Sequence, residues 1–284
     1  MTAIMNEKTC LVTGGTSGIG YEIALGLARQ GARVAIVGRN RDKGAAAARA
    51  ITDRGGNPRV EFLPADLTSQ ASVRELAATV TARYDRLDVL INNAGSLFMK
   101  RLVTVDGIEM TFALDHLAYF LLTNLLLPML RDSAPARIVN TSSGAHSRGR
   151  IHFDDLQGER KYGGWRAYSQ AKLANILFTY ELSRRLEGSG VTANCFHPGF
   201  VATDFAQNNG GLMALMVRLG HPFAVKVDEG AKTGVYLASS QAVEHTTGQY
   251  FVKEKPRKSN ARSYDPAVAA RLWEVSAKLT GLGA

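Results

Sequence analysis

Residues 9–20 read TCLVTGGTSGIG, a short apolar run that enters a glycine-rich turn and opens an amphipathic stretch, IGYEIALGLARQGA. A run of this length bounded by glycine reads as a strand, and the apolar spacing after it as a helix. Gly14, Gly18 and Gly20 permit a tight turn, close approach of backbone to a pyrophosphate, and close packing of helix on strand. With Thr16, Ser17 and Ile19 between them, they place the unpaired N–H groups and positive dipole end of the helix where phosphate can reach them. Glycine-rich loops are common, so it is the position between a first strand and a helix that gives this one its nucleotide-binding reading.

Outward from that turn, short apolar runs alternate with longer amphipathic ones. Strands are predicted over 33–38, 60–65, 87–95, 137–143 and 191–199. Helices fall near 41–54, 69–83, 105–131 and 164–187, and a last helix–strand pair lies around 228–252. Continuous apolar strands separated by helices predict right-handed βαβ units. The fold class is therefore α/β, a single doubly wound (Rossmann-type) parallel sheet with helices on both faces. With 284 residues, no tandem repeat and no linker, one domain over 1–284 is expected, with 200–227 as a substrate lid and 253–284 as a C-terminal extension.

Hydrophobic residues make up 45% of the chain, enough for a sizeable core. The two cysteines, Cys10 and Cys195, each sit in an apolar run and read as buried free thiols of a reducing compartment. The start, MTAIMNEKTC, is too short and polar for a secretory signal, so a cytoplasmic location is expected. FALDHLAYFLLTNLLLPML (112–130) is interrupted by Asp115, His116 and Asn124, which suits a core or subunit-interface helix better than a transmembrane segment. Net charge is +9, and its densest run, KEKPRKSNAR (253–262), lacks interleaved aromatics; it reads as a solvated loop with no nucleic-acid partner. The six histidines are scattered, so no metal site is expected.

Dinucleotide folds place an acidic residue at the end of the second strand to bond the ribose hydroxyls. Here Arg39 and Asn40 follow that strand. A guanidinium grips a 2′-phosphate that a carboxylate would repel, which favours NADP(H) over NAD(H); the other reading is an Arg39 that stacks on adenine. Residues 165–175, WRAYSQAKLAN, set Tyr168 and Lys172 one helical turn apart on one face. Either a half-buried Tyr lies beside a Lys stem, or the cation makes the phenol's proton available.

TGGTSGIG, NNAG (92–95), a strand ending in serine, YSQAK and HPG (197–199) occur in this order, and together they resemble the short-chain dehydrogenase/reductase family from about residue 8 to 252. The stretches KLANILFTYELSRRLEGSGVTANCFHPG, EGAKT and RLWEVS resemble its retinol dehydrogenase-like subgroup. The resemblance implies that Asp66 and Leu67 flank the adenine, and that Asn92, Ala94 and Gly95 line the cofactor and steady the sheet. It implies that Pro198, Gly199, Val201 and Thr203 meet the nicotinamide amide and pyrophosphate. Ser143 aligns better than Ser142 with the family's catalytic serine, and strand alternation sends the two hydroxyls to opposite faces. Tyr168 is then the general acid in reduction and the base in oxidation. Lys172, with the oxidised nicotinamide, is expected to lower the phenol's pKa while also holding the nicotinamide ribose.

One position departs from the family pattern. Asp115 stands where the family usually carries an Asn whose backbone and water link the Lys to solvent. A carboxylate there can hold the water or pair with Lys172, can weaken the cation's pull on Tyr168, or can be a neutral isosteric change. The resemblance implies a lipophilic aldehyde, ketone or alcohol as substrate and a homo-oligomer, dimer or tetramer. LMALMVRL within the lid is apolar and Met-rich, as an adaptable wall would be. The N-terminal anchor common among retinoid enzymes is not seen, which argues against retinoids themselves. The alternatives from other classes are a catalytically weak NADP(H)-binding redox sensor and a charge-driven nucleic-acid or membrane-surface binder.

Overall fold

The computed structural model describes residues 4–199 and 226–283. In chain order the elements are β1 (Thr9–Thr13), α1 (Gly18–Arg29), β2 (Arg33–Gly38), α2 (Arg41–Gly55), β3 (Val60–Pro64), α3 (Gln70–Arg83) and β4 (Val89–Asn92). Next come α4 (Met110–Phe112), a π-helical turn (Ala113–Leu117), α5 (Ala118–Asp132), β5 (Ala136–Thr141), α6 (Gly164–Arg185) and β6 (Val191–His197). Past residue 225 follow α7 (Val227–Ser239), β7 (Tyr250–Val252), β8 (Lys255–Arg257) and α8 (Pro266–Thr280).

The strands form one sheet in the order β3-β2-β1-β4-β5-β6-β7-β8, parallel except where β8 runs against β7. The chain order reverses between β1 and β4, which pair side by side. A reversal of this kind leaves a crevice at the carboxyl ends of the two strands, where ligands bind in open α/β sheets. Strand alternation divides the core. Leu11, Ala35 and Val37 face the layer of α3, α5 and α6, while Cys10, Val12, Val34 and Ile36 face α1, α2 and α7. Both faces are covered, which is why these strands read as continuous apolar runs.

The helix ends carry their own signals. Asn40 accepts the Lys43 N–H at 2.9 Å to start α2, and Gly56 closes it in the left-handed conformation (φ 62°). Asp265 accepts the N–H groups of Ala267 and Val268 ahead of Pro266 to start α8.

Two expectations are corrected. The long apolar helix begins at Met110 instead of near 105, and one π turn interrupts it at Asp115. Met110–Asp132 is long and apolar enough to cross a bilayer by composition, yet 67% of its apolar window is buried within the fold. The basic run is not simply a solvated loop. Lys255–Arg257 pair with Tyr250–Val252 as an edge strand whose side chains stay exposed. Lys253 and Glu254 form the two-residue hairpin loop with positive φ (51° and 60°), a geometry the sequence hides because neither residue is Asn or Gly.

Candidate active site

The glycine turn is built by close contact. Gly14 and Gly18 have φ of 65° and 57°, where a side chain is strained. A Cβ on Gly14 would lie 2.9 Å from the Ala94 Cα, and one on Gly20 would overlap the Gly14 carbonyl. Ser17, in extended backbone, starts α1 without using its side chain as a cap, and the first turn holds no acidic residue. The positive helix end is thus open to an anion. Thr16 packs against Gly38 at the end of β2, and Ile19 packs on the α1–α2 side of the core.

Sequence reasoning missed what holds the turn to the neighbouring strand. The Thr13 hydroxyl donates to the Ile91 carbonyl (3.2 Å) and accepts the Asn93 N–H (2.8 Å), and the Asn93 amide donates to the Thr13 carbonyl (3.1 Å). Asn92 is fully buried and donates to Thr123 Oγ1 (2.9 Å) and Asn140 Oδ1 (2.8 Å). Ala94 and Gly95 are half-buried at the rim. Arg39 is exposed after β2, while the Asn40 side chain is committed to capping α2. Asp66 is exposed after β3 and accepts from the Thr68 N–H (3.0 Å) and hydroxyl (2.8 Å). Leu67 lines a cleft with Thr68, Ile108 and Leu121.

Beyond β5 the two serines part as the alternation predicts. Ser142 is buried and donates to the Lys172 carbonyl at 2.8 Å. Ser143 is half-buried, accepts the Ala145 N–H at 3.2 Å, and hydrogen-bonds Tyr168. Tyr168 and Lys172 are both buried on α6, with Lys172 Nζ 5.4 Å from the Tyr168 ring centre. The phenol's pKa is raised, not lowered as the sequence led one to expect. Burial is the main cause and the Asp115 carboxylate adds to it, against a smaller pull from the Ser143 hydrogen bond.

Asp115 lies on the π turn, completely buried. Its Oδ1 accepts the Ser96 N–H (2.8 Å), its Oδ2 is 2.9 Å from Lys172 Nζ, and its carbonyl accepts from the Asn175 amide (2.8 Å). Burial pushes the carboxyl upward, opposed by the ammonium and by that N–H. A Cβ on Gly95 would lie 2.9 Å from Asp115 Oδ2 and 3.0 Å from Lys172 Nζ, so a glycine there leaves room for the pair.

Two histidines that sequence reasoning left unassigned tie the loops together. His197 Nδ1 accepts the N–H groups of Gly144 (3.0 Å) and Gly199 (3.3 Å), joining the Ser143 turn to HPG. Burial pushes this imidazole down to about 4, so it is neutral at pH 7. His146 donates to the Ser143 carbonyl (2.6 Å) and accepts the Asn260 N–H (3.2 Å), which anchors the C-terminal extension to the serine turn. Pro198 and Gly199 are half-buried, Gly199 with φ 91°. Val201, Thr203 and the rest of the segment expected to form a lid, up to residue 225, lie outside the described residues.

A pyrophosphate-sized glycine turn at the sheet's switch point, with a buried phenol and ammonium and a half-buried serine two strands away, suits an oxidoreductase that works with a nicotinamide dinucleotide. Residues 8–211 match the family model described as short chain dehydrogenase, and the chain belongs to that family, in its retinol dehydrogenase-like branch. It is 45% identical over 288 residues to retinol dehydrogenase 13 of Homo sapiens, covering 99% of this chain and 87% of that one. A crystal structure of an uncharacterised protein from Mycobacterium paratuberculosis is 36% identical with a TM-score of 0.80, covering 99% of this chain and 97% of its own. The RhlG/NADP active-site complex of Pseudomonas aeruginosa is 30% identical with a TM-score of 0.70, covering 88% of this chain and 96% of that one.

Proposed function

We propose that the protein interconverts a lipophilic carbonyl compound and its alcohol with NADP(H), with Tyr168 exchanging the proton. The observation that carries the proposal is the grouping of half-buried Ser143 with buried Tyr168 and Lys172 beside the glycine turn. The residues fit a dinucleotide: Gly14 and Gly20 form a cradle that a Cβ would fill, and the Ser17 hydroxyl and α1 N-terminus are open to phosphate. Bound there, the nicotinamide supplies the hydride in reduction and accepts it in oxidation. Ser143 holds the substrate oxygen, and the Tyr168 phenol gives that oxygen its proton as the carbon gains hydride. Lys172 would hold the nicotinamide ribose hydroxyls, and Gly199 with the HPG turn would border the ring.

Arg39 supports the NADP(H) preference, because an exposed guanidinium follows β2 where a carboxylate would select NAD(H). The NADP bound in the Pseudomonas complex agrees with this. The names of the curated relatives point to a lipophilic alcohol as substrate. Trp165 supports the same class: it is half exposed beside Tyr168, with ring centres 6.1 Å apart, and offers an apolar wall. The proposal includes a cytoplasmic homo-oligomer, and the buried free thiols Cys10 and Cys195 suit that compartment.

The test is NADPH consumption across aliphatic, aromatic, steroid and retinoid carbonyls, with NADH alongside. Turnover with NADPH on an apolar carbonyl supports the proposal; tight NADPH binding without turnover on any of them favours a redox sensor. Arg39→Ala is expected to weaken NADPH by roughly 10- to 100-fold, the worth of a charge-assisted contact, and to leave NADH unchanged. Equal losses for both cofactors would contradict the 2′-phosphate assignment.

A further inference from the structure

We infer that Asp115 sets the pH range over which Tyr168 works: by pairing with Lys172 it cancels the ammonium's pull on the phenol, so Tyr168 stays a proton donor to higher pH. This rests on Tyr168 being the proton donor proposed above. A lone ammonium 5.4 Å from the phenol ring favours phenolate. Here a carboxylate oxygen stands 2.9 Å from that ammonium, both groups out of water, and the two charges act on the phenol as a near-neutral dipole.

The pair is built into the fold. Ser96 N–H and the Asn175 amide fix Asp115 from two sides, and the π turn carries it toward α6. A buried carboxylate is retained only where a partner compensates its desolvation, so the pair is unlike the neutral amide that the family pattern carries at this place.

Among the described residues, no other group near the pair supplies a competing switch around neutral pH. From α6 the facing group is Tyr168 itself. On the π turn, His116 is held neutral by burial, down to about 4, with its ring bonded to Asn175 (3.3 Å) and Ser276 (2.9 Å). Burial also pushes the Tyr119 phenol well above its ordinary value, and it stays neutral. Glu109, ahead of α4, is occupied in accepting the N–H groups of Thr111 (2.9 Å) and Phe112 (2.8 Å). The Gly95–Ser96 segment after β4 contributes no ionisable side chain.

The experiment compares pH profiles of kcat/KM for carbonyl reduction with NADPH in the wild-type protein and in Asp115→Asn, whose folding is checked by thermal melting and NADPH fluorescence. The alkaline limb of the variant is expected at least about one pH unit below that of the wild type, the shift an uncompensated neighbouring cation produces. Coincident limbs, or a variant limb at higher pH, would overturn the inference. A second measurement needs neither the variant nor turnover: tyrosinate absorbance of wild-type minus Tyr168→Phe protein, titrated with base. Tyr168 is expected to show no phenolate below about pH 10, the ordinary phenol value. Phenolate near neutral pH would sink the inference even in a fully active enzyme. Failure of every carbonyl to react would remove the proposed function and leave this titration to decide the pair's effect.

Discussion

Ser142 and Ser143 are adjacent, identical in chemistry, and opposite in duty. Ser142 ties the end of β5 to the α6 backbone, and Ser143 meets the Tyr168 phenol. Ser142→Ala is therefore expected to lower stability by about 1 kcal/mol with kcat unchanged, the net worth of one buried hydrogen bond. Ser143→Ala is expected to leave the melting temperature near wild type and lower kcat by roughly a hundredfold or more, as loss of an oxygen-holding donor does. Denaturant titration and steady-state kinetics on the two variants separate these outcomes, and a reversed pattern would reassign the serines. Strand alternation made it legible that the two hydroxyls part, and the family resemblance picked out Ser143. Thr13, Asn93, His146 and His197 were not. Their bonds join residues from different strands and loops, such as Asn93 to Thr13 or Asn260 to His146, and such pairs leave no period along the chain.

At the level of elements, strands and helices with strong apolar patterning appeared close to where the sequence put them: β2 and α2 match to within a residue. The π turn did not, since its five residues, ALDHL, carry the same apolar spacing as an ordinary helix. What distinguishes it is tertiary: Asp115 reaches Lys172 and Ser96 while His116 reaches Ser276 on α8. That last contact makes α8 part of the site's support. Trp273 packs 4.9 Å from Phe120 and 5.7 Å from Phe178 between ring centres, with the Arg185 guanidinium 4.2 Å over its face. Trp273→Ala is expected to destabilise the protein by about 2–4 kcal/mol, toward the lower end of buried Trp truncations because the ring is half-buried. A melting curve indistinguishable from wild type would show that α8 is an appendage. In the glycine turn, Gly20→Ala is expected to abolish NADPH binding, because the added methyl overlaps the Gly14 carbonyl; fluorescence titration of the cofactor measures it.

Across the whole molecule, the order of strands creates the crevice, and the ends of β1, β4 and β5 bring the glycine cradle and the proposed catalytic groups to one rim. The opposite rim is held by charge. Asp88 is buried there, bonded by Lys8 (2.9 Å), by two nitrogens of Arg86 (2.9 and 2.6 Å) and by the Thr9 N–H (2.9 Å). Burial pushes this carboxyl up, but the Arg86, Lys8 and Thr9 bonds outweigh it and hold the pKa below the ordinary carboxylate value. A depressed pKa gives stability that is complete above the ordinary value near ~4 and is lost as pH falls through the folded value. Asp88→Asn is expected to melt lower at neutral pH and to flatten the acid limb of the stability curve; an unchanged acid limb would assign acid sensitivity elsewhere. The central claim concerns the other rim, and its most direct test follows the atoms. NADPH carrying deuterium in both positions of its hydride-bearing ring carbon is incubated with the protein and an apolar aldehyde that it turns over, and the alcohol is analysed by mass spectrometry. The account predicts one deuterium on the carbinol carbon with wild-type protein, and at least a hundredfold less labelled product with Tyr168→Phe despite normal NADPH binding. Unlabelled alcohol, or equal labelling by the Phe protein, would contradict it.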